Sequence, residues 1–170
     1  MILAGHSDAG FNNETRARSR SGAHIFLSEN ESIPLWNGSL LTIYQIMKYV
    51  VSSDAEAEMT ALFLTAKEMV PLRHTLTKMG WKQPPSPPHS DNSTAVGMTN
   101  CTLIPRKSKS WDLRLNWLCC REAQGQFRIY WDKGPNNNGD YSTKYHPIIY
   151  HETKWPMGFA GCMFYPDICI

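Results

Sequence analysis

Ser52-Ser53-Asp54-Ala55-Glu56-Ala57-Glu58-Met59 places three carboxylates within five positions, directly ahead of Met59, Leu62, Phe63, Ala66, Met69 and Val70. Those apolar residues recur at the three- and four-residue spacing of one helix face, so the segment predicts an amphipathic helix that starts here. Ser53 followed three residues later by Glu56 has the spacing of a capping box, which gives Glu56 a structural task. Glu58 has none. Pro71 falls inside the pattern and predicts a kink or break, with a further helical piece through Leu76 and Met79 to a stop at Gly80.

Upstream, Ile2 to Asp8 is a mostly apolar run, and Gly22-Ala23-His24-Ile25-Phe26-Leu27 is a second one with strand character. The polar NNETRARSRS between them reads as the longish loop of an antiparallel hairpin. After Asn37-Gly38, LLTIYQIMKYVV is rich in β-branched and aromatic residues and predicts a third strand, completing a meander. Downstream, KQPPSPPH holds four of the eleven prolines and reads as a stiff extended connector, with room for a very short strand at most before Asp91. WDLRLNWLCCREAQG has helical spacing, QFRIYW is a short strand, and DYSTKYHPIIYHE starts like a helix that Pro147 interrupts. The order is that of a mixed α/β sheet with helices packed on it.

The 170 residues fit one domain with a real core, and a net charge of +2 with pI near 8.3 announces no nucleic-acid binder by bulk charge. Any such binding must come from local clusters. The five cysteines include no C-x-x-C pair, so neither a disulfide framework nor a zinc site is favoured. The absence of a long apolar run or a signal-like start predicts a chain inside the cell, away from membranes, with its five Asn-x-Ser/Thr sequons unused.

Four acids stand out by position. Asp8 ends the first strand, Glu58 lies in the first turns of the helix, Asp91 follows the proline connector, and Asp140 opens the last helical stretch. Strand ends and helix starts are where sites collect in α/β folds. Converging carboxylates repel one another and are hard oxygen ligands, so a bound Mg²⁺ or Mn²⁺ is a natural reason for them to meet; two such ions serve phosphodiester hydrolysis. Each also admits a simpler reading: Asp91 and Asp140 as helix caps, Asp8 as a turn residue, Asp54 and Glu56 as partners of the helix dipole.

The chain resembles the ribonuclease H domain at the end of copia-type retrotransposon polyproteins. The resemblance rests on an ordered series of boxes from about Leu3 to about His151: HSDAG, R-x-R-S-x-S-G-x-x-x-F, SS-x-AEAE-x-x-AL-F, DN-S-T-A, DLR-x-x-WL-x-x-REAQGQFR-x-YW and D-Y-x-TK-x-HP. It implies a five-stranded mixed sheet flanked by helices over residues 1–152, followed by a tail at 153–170. It further implies that Asp8, Glu58, Asp91 and Asp140 are catalytic and hold two Mg²⁺ or Mn²⁺ ions, for hydrolysis of the RNA strand of an RNA/DNA hybrid. The reverse transcriptase portion of the same polyprotein is the implied partner, in a cytoplasmic particle or the nucleus. Two departures stand out. NNNGDYSTKY lacks the histidine that similar sequences carry after the lysine, and the KGPNNN loop has none where some ribonucleases H place a proton shuttle, so that transfer would fall to solvent.

Arg16, Arg18 and Arg20 alternate and would share one face of an extended segment, as a phosphate grip requires; a soluble loop explains them equally well. Arg106, Lys107 and Lys109, with Trp111 and Arg114 following, form the densest basic cluster and suit a nucleic-acid backbone. Trp117 and Trp131 are expected in the core, and His6 is expected to be a strand residue satisfied by a partner. Two other readings use the same acids: a remnant that binds hybrids without cutting them, and another nuclease of this fold, such as a junction resolvase or transposase, that acts on DNA.

Overall fold

A computed structural model describes residues 1–35, 37–100 and 109–154, the side chains of 109–112 excepted. Three strands open the chain: β1 (Ile2–Glu14), β2 (Arg18–Ser28) and β3 (Ser39–Ile46). They pair as the expected antiparallel meander, with His6 opposite His24 and Asp8 opposite Gly22. The hairpin loop is shorter than its polar composition predicts. Both strands run through most of NNETRARSRS and leave only Thr15-Arg16-Ala17 as the turn, with Arg16 and Ala17 at positive φ. A register shift between Gly10 and Glu14 absorbs the polar residues without ending the ladder.

The helix α1 (Asp54–Lys78) begins where its cap predicts: the Ser53 hydroxyl accepts the Glu56 N–H at 3.2 Å. The helix does not break at Pro71. That proline is exposed, so the carbonyl that loses its amide partner four residues back, on exposed Lys67, faces water. The stop is the expected one, with Gly80 at φ +92° and the Trp81 N–H donating to the Leu76 carbonyl at 2.9 Å.

The proline connector is extended and anchored, since Arg73 of α1 donates to the Pro84 carbonyl and to Ser86 Oγ, both at 2.6 Å. It leads to β4 (Pro88–Ser90), three residues that lie parallel to β1, with His6 beside His89. A seven-residue helix, α2 (Ser93–Thr99), follows; its periodicity is too short to read from sequence, yet Asn92 caps it by accepting from Thr94 and Ala95 N–H. Then come α3 (Lys109–Ala123), a two-residue β5 (Tyr130–Trp131), two 3₁₀ turns (Gly134–Asn136 and Asn138–Ser142), and α4 (Ile148–Lys154). Asp140 therefore lies within a 3₁₀ turn instead of opening the last helix.

The sheet order is β3-β2-β1-β4-β5, five strands, mixed, with helices packed on it, as the resemblance implies. Leu3, Ile25, Met59, Leu62, Met69 and Leu118 form the main core between the sheet and α1 and α3. Trp117 joins its edge, packing at right angles on Phe63 at 5.3 Å. Trp131 does not: it is 49% exposed. Among the described residues no helix is long and apolar enough to cross a membrane.

Candidate active site

Alternation along β1 puts His6 and Asp8 on the same face, and the central place of β1 in the sheet buries Asp8 completely. Because β4 pairs parallel to β1, Asp91 leaves the end of β4 beside the Asp8 end of β1. Glu58, one turn into α1, reaches the same place and accepts the Ala9 N–H at 3.2 Å. One carboxylate oxygen each from Asp8, Glu58 and Asp91 lie within 4.8 Å of one another. Residues 8, 58 and 91 meet here only because three elements end at one point of the sheet.

Asp140 is not among the three acids that meet within that distance; it is joined to Asp8 through Lys144. The Lys144 ammonium touches the Asp140 carboxylate and stands 3.6 Å from Asp8 Oδ1. Thr143 Oγ1 donates to the other Asp8 oxygen, Oδ2. Neither Lys144 nor Thr143 was singled out from sequence; the Asp140-to-Lys144 spacing of four residues was the available signal. Asp54, beyond its place at the positive end of the helix dipole, lines a 370 Å³ cavity with Ala9, Glu58, Asp91, Asn92 and Lys144. Lys144 also borders a larger cleft of 510 Å³, which holds Arg20, Tyr44 and Tyr145.

Burial pushes the Asp8 carboxyl up to about 7 against the pull of Thr143 and Lys144, with Asp140 and Asp91 adding to the rise. Glu58 is raised for the same first reason, burial, and then by the charges of Asp8 and Asp91. Lys144 is pulled down by burial, but the Asp140 hydrogen bond and the surrounding acids outweigh that and raise it. Glu58 Oε2 is buried without a hydrogen-bond donor among the described residues, and Asp8 Oδ1 has no donor nearer than the Lys144 ammonium at 3.6 Å. A buried carboxylate oxygen without a donor is costly in a fold of protein atoms alone, and hard oxygen donors fit a divalent cation.

Glu56, two positions from Glu58, is spent elsewhere. Its Oε2 accepts from the N–H and hydroxyl of Ser52 at 2.9 and 2.7 Å, and Arg114 Nη2 lies 3.3 Å from Oε1. The reciprocal half of the capping box thus falls on Ser52 instead of Ser53. Of the basic residues chosen from sequence, Arg114 is occupied by Glu56 and by the face of Tyr49. Arg20 pairs with Glu14 and lies over Tyr44, while exposed Arg18 donates to Thr15. Arg16 sits in the turn, so the three arginines do not form one row on a strand. Arg106 and Lys107 lie outside the described residues, as does the side chain of Lys109.

His6 is indeed satisfied by a partner: its Nδ1 accepts the Asn138 N–H at 3.0 Å, and burial holds the ring well below the usual imidazole range. Trp131, out of the core, uses its ring N–H on the Asp91 carbonyl at 2.9 Å.

No family model matches the chain. The chain is 27% identical over 117 residues to the retrovirus-related Pol polyprotein of transposon TNT 1-94 from Nicotiana tabacum, a stretch that covers 69% of this chain and 8% of the polyprotein. Its fold is similar to the ribonuclease H1 LC11 isolated from compost, with a TM-score of 0.59 at 11% identity over 83% of this chain and 91% of that one. The same protein solved in complex with an RNA/DNA hybrid gives a TM-score of 0.59 at 9% identity, covering 80% and 88%. The fold of this chain is the ribonuclease H fold, and its sequence resembles a segment of a retrotransposon polyprotein.

Proposed function

We propose that this chain, a ribonuclease H fold similar to part of a retrotransposon polyprotein, is a metal-dependent endonuclease that cuts the RNA strand of RNA/DNA hybrids. The observation that carries the reading is the convergence of Asp8, Glu58 and Asp91 at the end of the central strands, with a buried Glu58 oxygen that no hydrogen-bond donor among the described residues satisfies. Asp8, Glu58, Asp91 and Asp140 are the residues that would hold two Mg²⁺ or Mn²⁺ ions. Such ions, when bound, generate the attacking hydroxide from water and stabilise the leaving oxygen.

The chain's own residues prepare that site. The Ala9 N–H fixes the direction of the Glu58 carboxylate, Thr143 fixes Asp8, and the Trp131 ring N–H holds the backbone at Asp91. Elements that end at one point hold the acids in place before substrate arrives, which avoids reorganisation during the reaction. The 370 Å³ cavity opens this cluster to a phosphodiester backbone. Selection of RNA in a hybrid would come from sugar hydroxyls and backbone shape, with Arg16 and Arg18 at the hairpin tip and the basic run Arg106, Lys107 and Lys109 as the grip. The reverse transcriptase portion of the same polyprotein, in a cytoplasmic particle or the nucleus, would supply the hybrid.

One observation favours a second reading, hybrid binding without hydrolysis: Lys144 places a cation of the protein's own between Asp8 and Asp140. An end-labelled RNA/DNA hybrid incubated with the purified chain in Mg²⁺, then in Mn²⁺, beside Asp91→Asn, separates the two. Cleavage of the RNA strand that is lost in the variant and with chelator supports the enzyme. Binding without cleavage supports the second reading, and cleavage of DNA duplexes or junctions in preference to hybrids would overturn both.

A further inference from the structure

Asp140 differs from the other three acids in what carries it. Glu58 rides on a 25-residue helix and Asp8 and Asp91 on central strand ends, whereas Asp140 sits in a five-residue 3₁₀ turn. The turn is held by side-chain and backbone bonds to the sheet. Asn137 Nδ2 donates to the Ser7 carbonyl at 2.8 Å, the Asn138 N–H donates to His6 Nδ1 at 3.0 Å, and Asn13 Nδ2 donates to the Thr143 carbonyl at 2.6 Å. Gly139 lies so close to β1 that a Cβ there would stand 2.9 Å from the Asp8 nitrogen. The run of residues 136–140 is thus fitted to strand β1 of this chain.

Among these contacts His6 has the features of a device. It is 2% exposed, and its ring is set edge-on against Phe26 at 5.2 Å and His89 at 4.8 Å, so the direction of its Nδ1 lone pair is fixed by packing. Because a backbone N–H donates to Nδ1, that nitrogen carries no proton. His6 and Asp8 are two residues apart on one strand and therefore face the same way, so whatever is pinned at His6 is delivered to Asp8.

We propose that His6 is a positioning residue for Asp140: a rigid acceptor, locked in the sheet, that pins the turn at Asn138 and thereby sets Asp140 beside Asp8. The proposal rests on Asp140 being a metal ligand.

Two substitutions separate the acceptor from the ring. His6→Phe keeps an aromatic ring and removes the acceptor; His6→Asn keeps an oxygen near the place of Nδ1 and removes the ring. Mn²⁺ binding by calorimetry and exchange of the Asn138 amide are read on folded protein. His6→Phe is expected to weaken Mn²⁺ binding by about tenfold, as loss of an outer partner of a metal ligand does, and to expose the Asn138 amide. His6→Asn should restore most of both. In an Asp140→Asn background, His6→Phe should have no further effect on Mn²⁺. If His6→Phe does not fold, Asn138→Pro removes the donor from the other side at a helix-start position that tolerates proline, and the same tenfold loss is expected. Unchanged Mn²⁺ binding in the donor or acceptor deletion, equal losses in Phe and Asn variants, or a full-size loss that persists without Asp140 would each overturn the proposal. All readouts work on a chain that binds metal and never cleaves, so failure of the ribonuclease reading is told apart from failure of this one.

Discussion

The sheet has one face closed by α1 and α3 over Leu3, Ile25, Met59, Leu62 and Leu118, and an opposite face on which Phe26 shares the interior with His6, Asp8, His24, His89 and Asn138. On the first face these apolar side chains gain from leaving water, at roughly 1.5–3 kcal/mol for a large aliphatic group. On the second, each polar group must find a partner or stay costly. Most do: His6 takes the Asn138 N–H, and His89 Nε2 meets the Asp132 carbonyl at 3.2 Å. Where the acids converge, Asp8 Oδ1 meets only the Lys144 ammonium at 3.6 Å and Glu58 Oε2 has no donor among the described residues. The contrast separates what holds the molecule together from what it does.

The sharpest way to break that contrast is Asp8→Asn. If the polar face serves chemistry, hybrid cleavage falls on the order of 10³-fold, the several kcal/mol that metal-assisted stabilisation supplies, while the metal-free protein melts no lower than wild type. A melting temperature depressed as by a core truncation would show that Asp8 is structural. Leu62→Ala on the apolar face should do the reverse, costing about 2–5 kcal/mol in denaturant unfolding and leaving Mn²⁺ affinity of the folded fraction unaltered.

A finer cut lies within α1 itself, between two glutamates one residue apart. Glu56→Gln should cost about 1–3 kcal/mol, because it discharges a buried acceptor of Ser52 and the partner of Arg114, and should spare metal binding. Glu58→Gln should abolish tight Mn²⁺ binding without that loss of stability. Calorimetric titration beside thermal melts of the two variants reads both, and a swapped pattern would reverse their assigned roles.

The pH dependence of the metal-free protein tests the polar face without any substitution. Asp8 titrates near 7 in the fold and near 3.8 when unfolded, so between these values the native state binds the extra proton and stability falls as pH rises. The slope for one such proton is about 1.4 kcal/mol per pH unit, absent below pH 4 and exhausted above pH 7. Glu58, raised in the same direction, adds to the decline. Saturating Mg²⁺ or the Asp8→Asn variant should flatten the curve, and a metal-free protein that gains stability across this window would contradict the raised Asp8.

How much of this was legible beforehand follows from the range of each signal. The start of α1, its glycine stop and the three-stranded meander rest on neighbours within a few residues, and all three stand in the structure. Glu58 could be marked as the acid without a structural task because Glu56 already had one. Beyond that range the reading differs from the structure: Pro71 does not break α1, and Trp131 lies outside the core. Each depends on which surface the residue faces, and no local pattern carries that.

Local spacing alone therefore determined the helix, its caps, the strand order at the N-terminus and the short list of acids, because backbone hydrogen bonding and side-chain periodicity act between near neighbours. Tertiary structure decided which acids meet. Parallel pairing of β4 with β1 brings Asp91 to Asp8, and a turn pinned across 132 residues at His6 brings Asp140 and its Lys144. Convergence of like charges is unfavourable in itself, so it arises only where the whole sheet and its packed helix impose it.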